Sequence, residues 1–284
     1  MTTLLITGAT GNVGGRVTEQ LIASGWRPRV LARDAAKARA RFGDRVDVVT
    51  GDLSDASTLR AALDGVERIF AVNVGPEIAA RDRALATAAR TAGVRHLVKL
   101  SSFGAQRDTS GLGAWHAQGE AGMRASGVAW TFVRPGSFMT NCLGWAPSIK
   151  AQGVVFSATA DGRLASIDTD DVAAVSVAAL TQSGHEGRAY DLTGDEALTH
   201  TQMAALIGKA IGRSLSVRPI TDENVRENLV RSGMPPAIVD ALAEFPRMIR
   251  AGAMATITDD FERVLGRKPR SFAAWADTHA ALFR

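Results

Sequence analysis

The chain has one cysteine, Cys142, in 284 residues, so no intrachain disulfide can form and a reducing, cytoplasmic setting is expected. It has no long hydrophobic run. Stretches such as Val172 to Leu180 are short and broken by Ser176, whereas a membrane-spanning helix needs roughly 20 apolar residues. No contact with a membrane is therefore expected, and the opening Met1 to Gly8 lacks the basic start of a secretory signal. The five histidines are scattered, with neither H-E-x-x-H nor a cysteine pair, so no metal site is expected. No Gly-Lys-Ser/Thr follows the glycines near the N-terminus, which excludes a Walker A loop. Ser102 lacks the glycine two positions earlier that a nucleophile elbow requires, since residue 100 is Leu. There is no internal repeat, low-complexity segment or Pro/Ser-rich linker.

The remainder is ordinary globular material, 46% apolar and 22% charged, outside the regimes of disorder, collagen and coiled coil. The length suits one large or two modest domains. Formal net charge is +4, a weak signal by itself, but it is concentrated. Arg27, Arg29, Arg33, Lys37, Arg39, Arg41 and Arg45 face only Asp34 and Asp44 in the same stretch, a local field that attracts an anion. No stacking aromatics interleave with this basic run, so nucleic acid is not an expected partner.

From Leu4 to Arg134 short apolar runs alternate with helical spacing. The runs are Leu4–Thr7, Arg29–Ala32, Val46–Val49, Arg68–Val72, Leu97–Leu100 and Ala129–Val133. Several are nearly continuous in apolar character, as strands covered on both faces must be. Strand–helix repetition of this kind predicts an α/β fold, a doubly wound parallel Rossmann sheet. After Pro135 the rhythm changes and the chain reads as a smaller, mainly helical domain. Asp168 to Asp171 open a helix through Leu180, Thr199 with Gln202 forms a capping box, and helices start near Thr258 and at Ser271. The expected domains are residues 1–135, to which about 164–182 returns, and residues 136–284.

The segment Leu4-Leu5-Ile6-Thr7-Gly8-Ala9-Thr10-Gly11-Asn12-Val13-Gly14 leads a strand through three glycines into an amphipathic helix. Gly8, Gly11 and Gly14 permit a tight turn, close backbone approach to a pyrophosphate, and helix–strand packing. The anion then sits at a helix N-terminus. Gly8, Thr10, Gly11, Asn12, Val13 and Gly14 are the candidate dinucleotide-binding residues. At the end of the second strand an acidic residue would accept hydrogen bonds from the ribose of NAD, while an arginine accommodates the 2′-phosphate of NADP. Arg33 stands there with Asp34 beyond it, which favours NADPH, with NADH the alternative if Asp34 turns inward. Asp52 and Leu53 end the third strand where adenine would lie, Asp52 serving either the base edge or as a helix cap.

Gly8 to Gly14, Gly51-Asp52-Leu53, Arg134-Pro135-Gly136, Ile167-Asp168 to Val172-Ala173, Tyr190-Asp191-Leu192-Thr193-Gly194 and Pro269 to Ala276 together resemble the NmrA-like group of atypical short-chain dehydrogenases. The resemblance runs over nearly the whole chain. It implies a Rossmann domain, a small C-terminal substrate domain with a cleft between, and an NAD(P)H-dependent reductase of the quinone reductase or azoreductase kind, acting on a flat or aromatic small molecule. It leaves open a dinucleotide-holding redox sensor without turnover, and a sugar-nucleotide epimerase-like enzyme. No flavin or other second cofactor is expected, and the chain is expected to be a monomer or homodimer.

The Tyr-x-x-x-Lys pair of the wider superfamily is absent, because Tyr190 is the only tyrosine and no lysine stands at the right offset. In its place the helix after the fifth strand carries Trp115 and His116, with Glu120 one turn on. His116 is the candidate proton donor, or it pairs with Glu120 to steady the helix. Ser101 and Ser102 close the fifth strand, and one hydroxyl is expected to face the nicotinamide, with Ser102 the candidate catalytic residue. Asn73 and Val74 leave the fourth strand at the same edge, and Pro135 turns the chain toward the cofactor amide. Phe138, Met139, Asn141 and Trp115 are candidate substrate contacts. Phe103, Trp115 and Trp145 either wall the substrate site or fill the core.

Overall fold

A computed structural model describes residues 2–106 and 111–284. Its contacts divide into two compact units, Met1–Arg134 with Thr169–Asp191, and Pro135–Asp168 with Leu192–Arg284. The first holds strands β1 (Leu4–Thr7), β2 (Arg29–Ala32), β3 (Asp47–Thr50), β4 (Arg68–Ala71), β5 (His96–Leu100) and β6 (Ala129–Pro135). With β9 (Arg188–Leu192) at one edge, the sheet order is β3-β2-β1-β4-β5-β6-β9. The pairings of β1 to β6 are parallel, with Ile6 beside Val30 and Phe70. Strand order therefore reverses between β1 and β4, and the crevice at a reversal of this kind is where such sheets bind ligands.

Alternation along each strand sorts the core. Leu5, Leu31, Ile69, Ala71, Leu97 and Phe132 pack against Leu59 and Leu63 of α3 (Ala56–Leu63), Leu85 and Ala89 of α4 (Ile78–Thr91) and Met123 of α5 (Gly111–Ala125). On the other face, α1 (Asn12–Ala23) packs along α7 (Thr169–Thr181), tied by the Gln20 amide donating to the Asp170 carbonyl at 2.9 Å and by Arg16 with Asp170 at 3.3 Å. Two residues of β5, Lys99 and His96, are buried polar groups that break the apolar rule. Lys99, fully buried in β5, meets Asp82 of α4 at 2.6 Å as a charge contact. His96 Nε2 lies 2.9 Å from Thr131 Oγ1, which itself donates to the His185 carbonyl. The close approach of α5 to α4 depends on Gly119, where a Cβ would collide with the Asp82 carboxylate.

The Rossmann sheet expected from the sequence is present, with each predicted strand within a residue or two of its observed position. The sheet also has a seventh strand, β9, which apolar patterning does not reveal. Arg188-Ala189-Tyr190-Asp191-Leu192 is an edge strand, partly exposed and polar.

The second unit builds its own core around Trp275, Phe272, Phe283, Ile207 and Met139. Its helices are α6 (Ala146–Gln152), α8 (His200–Ile211), α9 (Asp222–Arg231), α10 (Pro236–Ala243), α11 (Phe245–Arg250), α12 (Asp260–Leu265) and α13 (Phe272–His279). Two small sheets accompany them, β7 (Val154–Ser157) beside β11 (Ser216–Pro219) and β8 (Arg163–Leu164) beside β10 (Leu198–Thr199). The Thr199 capping box forms, and Gly212 closes α8 in the left-handed conformation. The helix read from Thr258 begins at Asp260 instead, with Asp259 at its N-cap. Among the described residues no helix is long and apolar enough to cross a membrane.

Candidate functional site

In the first unit the site grows from the carboxyl end of β1. The Val72 amide donates to Thr7 Oγ1 at 2.8 Å, holding the ends of β1 and β4 together. Gly8 then turns the chain at φ +63°, where a side chain would be strained, and a Cβ there would also lie 2.9 Å from Val72 Cβ. The Gly11 amide returns to the Gly8 carbonyl at 2.9 Å. Gly14 packs against that same carbonyl so closely that a Cβ would overlap its oxygen. Gly8, Gly11 and Asn12 are exposed, Thr10 is half-buried, and Val13 and Gly14 face the core. Gly11 is the N-cap of α1 and offers no side-chain cap, and the first turn carries no acidic residue. The geometry is thus a backbone cradle at a positive helix end, suited to a diphosphate.

Around this cradle the basic run divides by role. Arg33 is exposed at the end of β2. Asp34 does not turn inward: its Oδ1 accepts from the Lys37 amide at 3.0 Å as the N-cap of α2 (Ala35–Phe42). Arg41 is a group that sequence reading leaves undistinguished among seven. Its guanidinium lies against Gly15, donates to Glu19 Oε1 at 2.8 and 3.0 Å, and reaches the Thr10 and Gly11 carbonyls at 3.4 Å. Asp52 accepts from the amide and hydroxyl of Ser54, both at 2.8 Å, which hold its carboxyl below the usual range. The cap of α3 is Asp55, not Asp52. Leu53 packs against the apolar core.

Further along the edge, Asn73 is buried and its amide donates to Asp82 Oδ1 at 2.6 Å, while its neighbour Val74 is 72% exposed. The Ser101 hydroxyl is committed to Glu120 Oε1 at 2.6 Å, and among the described residues Ser102 Oγ accepts only from the Gly104 amide, at 3.3 Å. Of the two serines, Ser102 therefore keeps a hydroxyl to offer. Glu120 does not pair with His116. Arg134 grips its carboxylate with both arms, Nε to Oε1 at 2.7 Å and Nη2 to Oε2 at 2.5 Å, and Arg124 adds a third contact at 3.1 Å. This buried Glu–Arg staple joins α5 to the end of β6. His116 is also buried, and its Nδ1 has no partner among the described residues. Burial, with Lys99 nearby, pushes its pKa down to about 3. The ring is neutral at physiological pH, so it donates or accepts a hydrogen bond and does not carry a spare proton. Trp115 is half-buried beside it on α5.

Pro135 ends β6 and Gly136 follows it, the Gly136 amide donating to the Leu192 carbonyl at 2.9 Å. Phe138 and Asn141 line a cavity together with Trp145. Met139 is a core residue, 1% exposed. The polar part of that cavity, Ser157, Thr159 and His200, carries no sequence signal, because two segments far apart in the chain build it.

Residues 1–273 match the NmrA-like family. The chain is 38% identical over 282 residues to an NAD(P)H azoreductase of Xenophilus azovorans, covering 99% of each. It is 39% identical over 282 residues, again 99% of each, to a (4-alkanoyl-5-oxo-2,5-dihydrofuran-3-yl)methyl phosphate reductase of Streptomyces griseus. The solved structure of the Escherichia coli NADPH-dependent quinone oxidoreductase QOR2 complexed with NADPH superposes with a TM-score of 0.86 at 30% identity, over 97% of this chain and 99% of that one.

Proposed function

This chain belongs to the NmrA-like family, and from that premise we propose that it is an NADPH-dependent oxidoreductase reducing a quinone, azo or carbonyl compound. The observation that carries the reading is the cradle at Gly8, Gly11 and Gly14, where missing side chains leave backbone amides and the start of α1 open to a diphosphate. Arg33 supports the choice of NADPH, because the neighbouring Asp34 is occupied as a helix cap and does not compete for a ribose hydroxyl. When bound, the dinucleotide supplies the hydride.

The chain's own residues bind and orient. The backbone of residues 8–14 holds the diphosphate and Arg33 meets the extra phosphate. Ser102 offers the one uncommitted hydroxyl at the end of β5, since Ser101 is held by Glu120. His116, with its unpartnered Nδ1 and neutral ring, orients the acceptor through a hydrogen bond, and the proton taken up by the reduced acceptor comes from solvent. The absence of the tyrosine acid is consistent with acceptors whose reduced form does not need a strong general acid.

The test is NADPH oxidation, followed by absorbance, against quinones, azo dyes and aldehydes. Turnover of at least one class, faster with NADPH than with NADH, is expected. Tight NADPH binding with no turnover of any class would point instead to a dinucleotide-holding sensor.

A further inference from the structure

The second unit holds a cavity of about 240 Å³, open on one side, between the short helix Met139–Trp145, β7, the start of α8, and helices α9 to α11. This is smaller than the roughly 300–1,000 Å³ of pockets for drug-sized ligands, so it is matched in size to a small ring system. Phe138, Trp145, Leu164, Met203, Phe245 and Ile249 supply most of the apolar wall. Among the described residues no Asp, Glu, Lys or Arg lines it. An anionic group entering it would lose its water and meet no cation, which is strongly unfavourable.

The polar end is a single connected cluster. Ser157 Oγ accepts from the Thr159 amide at 3.2 Å and lies 2.9 Å from both Thr159 Oγ1 and His200 Nδ1. A hydroxyl has one proton and two lone pairs, so these three contacts use it up. His200 is held in place by that bond and by an edge-to-face contact with Trp145, ring centroids 4.9 Å apart. Its Nε2 has no partner among the described residues. Burial lowers its pKa to about 4, so the ring adds no charge to the cavity at neutral pH.

We propose that this cavity binds an uncharged, flat ring compound through a hydrogen bond between a ring oxygen and His200 Nε2, which makes His200 the residue that selects neutral oxygen-bearing rings over anionic ones. Identifying that compound with the reduced acceptor rests on the reductase reading, whereas the binding does not.

Three matched probes test this: 2,3-dimethyl-1,4-naphthoquinone, its 3-sulfonate counterpart, and oxygen-free 2,3-dimethylnaphthalene. Binding is read from quenching of Trp145 fluorescence, with Trp145→Phe as the control that removes the site-specific signal, in the absence of NADPH. The neutral quinone is expected to bind at least about a hundredfold more tightly than the sulfonate. His200→Phe should weaken quinone binding about fivefold to tenfold, the value of one hydrogen bond, and leave the naphthalene unchanged. His200→Gln, which keeps a donor and an acceptor, should retain most of the affinity. Equal binding of the sulfonate, equal loss of both neutral probes in His200→Phe, no recovery in His200→Gln, or no quenching of Trp145 by any probe would each overturn the assignment. NADPH oxidation with the same quinone separates the two readings. His200-dependent binding with no turnover of this quinone, the azo dyes or the aldehydes removes the reductase reading alone, and turnover with an unchanged KM in His200→Phe removes the identification of the bound ring with the acceptor.

Discussion

Replacing Glu120 by Ala provides a severe test of the staple between α5 and β6. The carboxylate is 1% exposed, and the substitution deletes both of its bonds to Arg134, the acceptor for Ser101 and the contact to Arg124. Arg124 is 43% exposed and turns to water at little cost. Arg134 is buried, and its guanidinium would lose its bidentate carboxylate partner, the contact to Asp191 being longer at 3.7 Å. Removing one partner of such a pair costs about 3–5 kcal/mol, and the stranded Ser101 hydroxyl adds about 1 kcal/mol. Against a typical total of about 5–15 kcal/mol, Glu120→Ala should come close to unfolding the chain. Replacing both partners with apolar residues, Glu120→Leu with Arg134→Met, removes the stranded charge and should cost less than either single change. Urea denaturation of Glu120→Ala, Glu120→Leu, Arg134→Met, the Leu–Met double variant and the parent, with unchanged slopes, gives the loss and all the terms of the cycle. A loss below about 1 kcal/mol in Glu120→Ala, or a double variant as unstable as the sum of the singles, would refute the account of the staple.

Three further outcomes are expected. Arg33→Ala should weaken NADPH binding about tenfold by calorimetry and leave NADH unchanged; the value is at the low end for a phosphate contact because the side chain is exposed and screened. Gly14→Ala should lose dinucleotide affinity and stability together, although alanine normally favours a helix interior by about 1 kcal/mol over glycine; an alanine variant as stable and as tight as the parent would show that the Gly8 carbonyl has room to yield. His96, His116 and His200 are neutral in the folded chain, with pKa values lowered from 6.5 to about 4, 3 and 4. The unfolded chain therefore takes up these protons first, so stability is complete above about pH 6.5 and falls as pH drops toward 4, by about 1.4 kcal/mol per pH unit for each ring. Melting temperatures that stay flat from pH 7.5 to 5 would contradict their burial.

What the sequence makes legible is what local sterics decide. The glycine turn can be read from spacing alone because the Gly8 dihedral and the Gly14 contact are properties of consecutive backbone. Six strands can be read because sheet interiors demand continuous apolar character. β9 escapes because an edge strand tolerates Arg188 and Asp191. The placement of Glu120 beside His116 follows the helical repeat correctly, but a bidentate arginine fourteen residues further on outcompetes a neutral imidazole for the carboxylate, and only tertiary packing brings that arginine there. Arg41 is one of seven basic residues until α2 folds back on α1. The cavity and its Ser157–His200 pair join residues 43 apart in sequence, and no periodicity encodes such a meeting.

The sealed contact between Lys99 and Asp82 also constrains how the sequence can drift. Losing either charge by itself leaves the other with no water and no counterpart, so a lineage passing through a single neutral replacement would pay a folding penalty of several kcal/mol. Gly119 is bound into the same arrangement, since any larger residue there would push the carboxylate aside. The three positions are thus physically coupled, and exchanging one without loss of stability calls for a compensating change at its partners.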